Sequence, residues 1–393
     1  MRSEAQENTI VAVPLIMAAV FLVYLVIGLA LPVLPLHVHL GLGLSAFVVG
    51  IVAGSQFAAT MISRLWAGTY TDREGARRSV VISLLIAAAS GLFYLISLAF
   101  MGEPATSVMI LLVGRALLGG AESFVTIGAL SWVIYLMGRE NTGKVMSWVG
   151  VAVYAAYAVG APAGTVLYAG HGFVAIALVT MLLPLGAVLL IVPLRPVAPS
   201  SQARPAFANI LRAVWVPGFG LALSSIGFGA ITVFITLFFA KESWNLAWLA
   251  LTALSTTFIV GRLALGHLPD RIGGAKIAFV CVLIEAAGQA LIWLAPAPSL
   301  ALFGAGLTGL GYSLVYPGFG VEAVRRAPPE SRALAVGVYT ACLDLALGVT
   351  SPALGLIANG AGLRAVYLVS MLVVLCSAGV AVRLLYGPSL SPG

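Results

Sequence analysis

The chain has 393 residues, of which 61% are hydrophobic and 8% charged, with a formal net charge of +7 and a mean hydropathy of +1.09. No water-soluble core of this length hides so much apolar surface, so the composition excludes a soluble globular protein and places the chain in a bilayer. The basic excess is split among separate short segments, which excludes a continuous basic face for nucleic acid.

About twelve apolar stretches are long enough to span, at roughly 20 residues each. In chain order they lie near 13–38, 47–68, 79–101, 106–136, 145–169, 172–194, 214–240, 246–267, 275–295, 299–324, 333–358 and 362–386. They are continuous rather than alternating, and barrel strands would be about half as long, so helices are expected. Their many Gly and Pro residues suit packed membrane helices, which use small residues for close approach and tolerate kinks. The first segment lacks a basic n-region and a small-residue cleavage site, so it reads as a retained span rather than a signal peptide.

Basic residues set the orientation. With the N-terminus inside, the cytoplasmic side collects Arg2, Arg64, Arg73, Arg77, Arg78, Arg139, Lys144, Arg195, Arg204, Arg212, Arg262, Arg271, Lys276, Arg325, Arg326, Arg332 and Arg383, while the outside keeps Lys241 and Arg364. This asymmetry predicts an even number of spans with both termini cytoplasmic. The proline-bearing segment 195–213 then joins two six-helix bundles, 1–194 and 214–393, as a cytoplasmic linker.

One phrase occurs twice: SRLWAGTYTDREGARRS from Ser63 and GRLALGHLPDRIGGAKI from Gly261. At one constant offset Arg64, Leu65, Gly68, Asp72, Arg73 and Gly75 fall on Arg262, Leu263, Gly266, Asp270, Arg271 and Gly273. Both copies are charged islands after an apolar stretch, which indicates two membrane halves built on one plan. The repeated G-x-x-x-D-R-x-G element resembles the signature of the major facilitator superfamily, with Gly68, Asp72, Arg73, Gly75 and Arg77 matching in the first half and Gly266, Asp270, Arg271 and Gly273 in the second. Leu111-x-x-x-Arg115-x-x-x-Gly119 is similar to the arginine motif of proton-coupled members. Gly160-Ala-Pro162-Ala-Gly164 is similar to a shortened antiporter motif that lacks the adjacent Gly-Pro. LPVLPLHV, GRALLGGAES, GKVMSWVG and PDRIGG resemble the YhhS/YfcJ-type branch of bacterial permeases, associated with small-molecule efflux.

The resemblance implies an all-α membrane protein of twelve transmembrane helices in the major facilitator fold, with two pseudo-symmetric six-helix halves around a central site. It implies a monomeric secondary transporter in the bacterial cytoplasmic membrane that works by alternating access, exchanging a small molecule for protons; proton-coupled uptake of a sugar or small metabolite is the alternative. It also implies that Asp72 and its basic neighbours act as a conformational latch, for which the competing account is plain topology anchoring by positive charge.

Charges inside a span cost about 2.5–3.5 kcal/mol each at the centre and are usually functional or paired. Arg115 and Glu122 share one face of the fourth helix at roughly 10 Å separation, with Gly119 and Thr126 on the same stripe. They form either a proton-coupling pair or a static ion pair. Asp344 near the middle of the eleventh helix has no cationic partner in sequence, which makes it a second proton carrier or a group that binds a cationic substrate. Glu285, with Gln289 one turn away, reads as a structural hydrogen-bonding group. Tyr24, Gln56, Tyr154, Tyr157, Phe228, Tyr312 and Tyr316, with Glu122 and Asp344, are the candidate cavity lining, against a packing role for the aromatics. Pro32, Pro35, Pro162 and Pro352 are expected to kink their helices.

Two motifs are rejected. Gly138-Arg-Glu-Asn-Thr-Gly143-Lys144 imitates a P-loop, but Val145 replaces the required Ser or Thr and no strand precedes it. Gly304-x-Gly306-x-x-Gly309 imitates a dinucleotide fingerprint inside an apolar span, where glycines serve packing. Cys281, Cys342 and Cys376 lie within spans at spacings that imply neither disulfide nor zinc, and His37 and His39, two apart, point away from each other. No cofactor, metal or nucleic-acid partner is expected, and no nucleophile–base spacing suggests an enzyme.

Overall fold

The computed structural model describes residues 2–138, 141–196, 207–327 and 332–386. They form α1 (Arg2–Ala30), α2 (Leu34–Leu36), a π-helical turn (His37–Gly41), α3 (Ala46–Glu74), α4 (Ala76–Leu98), α5 (Pro104–Met137), α6 (Thr142–Ile191), α7 (Phe207–Lys241), α8 (Trp248–Leu265), α9 (Leu268–Ile272), α10 (Gly274–Leu294), α11 (Pro298–Arg326), α12 (Arg332–Ala361) and α13 (Leu363–Tyr386). No strand occurs among the described residues. Arg139, Arg204 and most of the expected linker lie outside them.

Among the described residues, eleven helical stretches are long and apolar enough to cross a membrane. One of them, Lys144–Ile191, has 48 residues, more than twice what a hydrocarbon core of about 30 Å requires at about 1.5 Å per residue. Its course changes at Gly172, where φ is 65° and ψ −164°. A side chain there would clash with its own backbone, so only glycine turns the chain this sharply. The stretch is therefore two crossings joined by a single residue, which brings the count to the expected twelve.

The first span departs from the expected continuous helix. α1 stops at Ala30, and the chain resumes as α2 with Pro35 in its first turn before the π-helical turn. Proline lacks the N–H a helix needs and crowds the preceding turn, so two prolines three apart interrupt rather than merely bend it. His37 is buried and stacked on Phe173 at 4.1 Å. His39 is exposed and its Nδ1 bonds the Leu44 carbonyl oxygen at 2.7 Å, so the two imidazoles diverge. Pro162 and Pro352 lie inside α6 and α12 without ending them.

The chain divides into two compact units, one of Met1–Leu44 and Ser55–Gln202, the other of Ser45–Gly54 and Ala203–Gly393. In the first unit α6 presses on α1 through the proline motif. A Cβ on Gly160 would sit 2.8 Å from the Gly28 carbonyl carbon, and one on Gly164 would sit 2.1 Å from the Leu29 oxygen. With no solvent to drive association, such backbone-to-backbone contact maximises dispersion between helices. In the second unit the start of α3 lies against α12: the Ala46 amide donates to Asn359 Oδ1 at 3.1 Å, and a Cβ on Gly54 would sit 2.7 Å from the Gly348 oxygen.

Candidate functional site

Glu122 is the centre of a buried polar network in the first unit. It projects from α5 and is 8% exposed. Gln56 Nε2 donates to its Oε2 at 2.9 Å, Thr60 Oγ1 to the same oxygen at 3.3 Å, and the Tyr24 hydroxyl to its Oε1 at 3.4 Å. The Tyr24 hydroxyl also bonds Thr126 Oγ1 at 3.0 Å, and Thr126 returns a bond to the Glu122 carbonyl at 2.8 Å. Gln56 Oε1 is buried with no hydrogen-bond partner. Tyr157 meets Tyr24 edge-on with ring centroids 5.9 Å apart, and the half-buried Tyr154 meets Tyr157 the same way at 5.9 Å.

Close helix approach makes this network possible. A Cβ on Gly119 would sit 2.2 Å from the Gln56 oxygen, so α5 and α3 touch through backbone and Glu122, one turn on, reaches the side chains of α3. Arg64 follows Gln56 and Thr60 along α3 at the same four-residue spacing.

Arg115 is not among the partners of Glu122. It is 3% exposed, its Nη1 reaches the Tyr94 hydroxyl on α4 at 3.5 Å, and its Nε has no partner. Although the two share a helix face, two turns of rise separate them, and the oxygens of Glu122 are already met by α1 and α3. The structure thus turns Arg115 toward α4 instead of forming the static ion pair that sequence spacing allows.

The second unit carries the corresponding aromatic cluster. Tyr312 on α11 stacks on Phe228 of α7 at 5.4 Å, lies 6.1 Å from Phe258 of α8, and its hydroxyl is 3.0 Å from Ser225 Oγ. Tyr316, one turn on, faces α12 instead: its hydroxyl bonds Thr340 Oγ1 at 2.7 Å, its carbonyl accepts from Tyr339 at 2.7 Å, and Arg262 lies over its ring at 5.9 Å. Tyr312 and Tyr316 therefore do not make a single stacking platform, because each is claimed by a different neighbouring helix. Asp344 is 2% exposed on α12, one turn before Gly348 on the face that meets Gly54.

The repeated charged element has one backbone logic and two courses. Gly75 and Gly273 have φ of 92° and 114° and each precedes the first residue of the next helix, a conformation other residues resist. α3 runs unbroken through Gly68 and Asp72, whereas the second copy breaks after Leu265 and restarts as α9 with Pro269 in its first turn, carrying Asp270 and Arg271. Asp72 and Arg73 are exposed. Arg77 Nη1 donates to the carbonyls of Val192 and Leu194 at 3.0 and 3.1 Å, so it caps the end of α6.

Thr60, Arg64 as a neighbour of Glu122, and Ser225 were not foreseen as site residues. Gln56, Thr60 and Arg64 recur at four-residue spacing, a polar stripe on an apolar helix that points to them directly. Ser225 carries no comparable signal, since serines are common in membrane helices.

Comparison with known proteins agrees with this architecture. The sequence profile of the Major Facilitator Superfamily matches residues 16–242 and again 218–392. An MFS-type transporter of Salmonella typhimurium is 42% identical over 380 residues, covering 97% of this chain and 98% of that protein. The MFS-type transporter YhhS of Escherichia coli is 41% identical over 349 residues, covering 88% and 86%, and one from Pseudomonas aeruginosa is 40% identical over 383, covering 98% and 95%. Among solved structures, the nucleoside transporter NupG superposes with a TM-score of 0.76 at 13% identity, covering 95% of this chain and 99% of that one. A bacterial homolog of the human lysosomal transporter Spinster, in its inward-facing occupied conformation, gives 0.75 at 14%, covering 97% and 98%. The last two likenesses show the fold, the first three the branch, and the chain belongs to the major facilitator superfamily, a family of secondary transporters of small molecules rather than enzymes, in the YhhS branch.

Proposed function

We propose that the protein is a proton-coupled exporter that exchanges a small molecule for protons by alternating access, with Glu122 as the proton carrier of the first half and Asp344 as the acidic group of the second. The observation that carries the reading is the shell of Glu122. All three direct donors are neutral, and two are hydroxyls that can accept as readily as donate. Gln56 holds an unused buried Oε1 beside the Nε2 that serves the carboxylate. A turn of that amide, with rotation of the Tyr24 and Thr60 hydroxyls, presents acceptors in place of donors to a protonated carboxyl. A carboxylate locked to a guanidinium has no such freedom.

Tyr24, Tyr154 and Tyr157 in one half and Phe228, Tyr312 and Tyr316 in the other then offer rings to the substrate. Asp72, Arg73 and their second-half counterparts act as the conformational latch, where a bias of about 1 kcal/mol changes a two-state balance several-fold. The basic asymmetry puts both termini of a monomer on the cytoplasmic side of the bacterial inner membrane.

The test uses everted vesicles carrying the protein and a respiration-driven proton gradient read by fluorescence quenching, with drugs, sugars and amino-acid-like metabolites added in turn. Export by exchange predicts a compound-dependent proton leak that disappears in Glu122→Gln. Transport of a compound without any proton movement overturns the coupling, and proton movement in the same direction as the solute reassigns the protein to uptake.

A further inference from the structure

A second buried carboxyl lies outside the network of Glu122. Glu285 in the middle of α10 is 0% exposed, as is Gln289 one turn later. Ser224 of α7 makes a short hydrogen bond to Glu285 Oε2, while Oε1 has no partner. Gln289 Nε2 donates to the Gly227 carbonyl at 3.1 Å and to Thr308 Oγ1 at 3.3 Å, and its Oε1 has no partner either. Two acceptor oxygens, four residues apart on one helix face, are thus buried without a donor, and no cationic side chain pairs with Glu285 among the described residues.

A buried acceptor without a donor leaves its desolvation cost unmet, and an unpaired buried charge leaves a larger one. One hydrogen answers them. A proton added to Glu285 Oε1 cancels the charge and turns that oxygen into a donor one helical turn from Gln289 Oε1, which lacks one, while Ser224 keeps donating to Oε2. A metal ion would do the same only with several further oxygens around it, and the place is closed: a Cβ on Gly227 would lie 2.6 Å from Oε1 and 3.3 Å from a Val374 methyl.

We propose that Glu285 and Gln289 form a proton-binding site inside the second unit, with Glu285 held as a carboxylic acid at neutral pH and its proton shared with the Gln289 amide oxygen. The site is independent of the role given to Glu122. Its occupancy is registered by α7, because Ser224 and Gly227 hold the acid–amide pair while their neighbours Ser225 and Phe228 hold Tyr312. The titratable groups within the surrounding helices are Cys281 on α10, Tyr312 and Tyr316 on α11, and Tyr367, Cys376 and the terminal Tyr386 on α13. The charged ones stand toward helix ends: Arg212 and Lys241 on α7, Asp270 and Arg271 on α9, Lys276 on α10, Glu322, Arg325 and Arg326 on α11, Arg364 and Arg383 on α13.

Infrared spectroscopy of the purified full-length protein in lipid at neutral pH reads the proton directly. The expected result is a carbonyl band of a protonated carboxyl that Glu285→Gln abolishes, that Glu122→Gln leaves in place, and that Gln289→Met shifts by removing the acceptor. Because Gln reproduces the neutral, donating form, Glu285→Gln should melt with the wild type while Glu285→Ala melts earlier. Spectra of wild type and Glu285→Gln that superimpose in the protonated-carboxyl region overturn the proposal, as does a melting temperature raised by sodium but not by choline chloride in a Glu285-dependent way.

Discussion

Glu122 and Tyr312 hold the same station in their respective units: each stands three residues after a glycine whose Cα is pressed on the neighbouring helix, Gly119 on α3 and Gly309 on α8. Each also meets a hydroxyl from the first helix of its own unit, Tyr24 on α1 or Ser225 on α7. The repeated plan therefore extends beyond the charged element to the functional station itself, where one half places a carboxyl and the other a phenol. In the proposed exchange, this station supplies the proton carrier in the first half and an aromatic ring in the second.

That division is separable by mutation. Glu122→Gln is expected to abolish substrate-dependent proton flux while leaving the fold intact. Tyr312→Phe keeps the stack on Phe228 and loses only the bond to Ser225, a change of about 1 kcal/mol. It should weaken apparent substrate affinity by no more than about tenfold and preserve the proton flux. Flux measurements in vesicles on both variants check this, and proton coupling that survives Glu122→Gln removes Glu122 from the role.

The two glycines make a prediction of their own. A Cβ on Gly119 would lie 2.2 Å from the Gln56 oxygen and one on Gly309 would lie 2.1 Å from the Leu254 oxygen, so alanine forces the helix pairs apart. Each alanine variant should lose about 1–3 kcal/mol and melt several degrees lower in detergent. Gly186→Ala is the control: nothing stands within 4 Å of its Cβ, and helix propensity alone favours alanine there by up to about 1 kcal/mol. Equal melting of Gly119→Ala and the control would show that α3 and α5 yield at no cost.

Helix number and type were legible in the sequence because a bilayer demands about 20 apolar residues per crossing and leaves little choice of structure. Buried Glu122 and Asp344 were legible for a related reason, since a charge in a span stands out against its surroundings. Partnership was not. Arg115 and Glu122 share a face, yet the choice between Glu122 and Tyr94 as the target of Arg115 depends on how close α3, α4 and α5 approach, which is decided by Gly119 and its neighbours in three dimensions. Tyr312 and Tyr316, one turn apart, face α7 and α12 respectively, because a turn of 3.6 residues leaves adjacent-turn side chains enough angular offset to reach different helices. The break at Gly172 was legible as well: the expected spans 145–169 and 172–194 part at Gly170-His171-Gly172, where small and polar residues interrupt the apolar run.

Gly75 and Gly273 test whether the repeated element is held by its turn as well as by its charges. With φ of 92° and 114°, alanine at either site should cost about 1–2 kcal/mol, even though nothing lies within 4 Å of a Cβ at Gly273. Asparagine, which tolerates positive φ better than alanine, should recover part of the loss at Gly273. Melting curves of Gly273→Ala and Gly273→Asn decide it; identical curves would mean the turn relaxes to another conformation.

Arg77 and Asp72 belong to the same element but should fail differently. Arg77 caps α6 through Val192 and Leu194, so Arg77→Ala leaves two carbonyls without their charged donor and should cost about 1–2 kcal/mol of stability. Asp72 is exposed, and its replacement by Asn should change stability by less than about 0.5 kcal/mol. If Asp72 works as a latch, Asp72→Asn nevertheless alters the transport rate several-fold, because a small bias suffices when two conformations are nearly balanced. Parallel melting and transport assays distinguish the roles: a rate change without a melting shift at Asp72 supports the latch, whereas unchanged rates at Asp72 leave the element as a topology anchor and a helix cap.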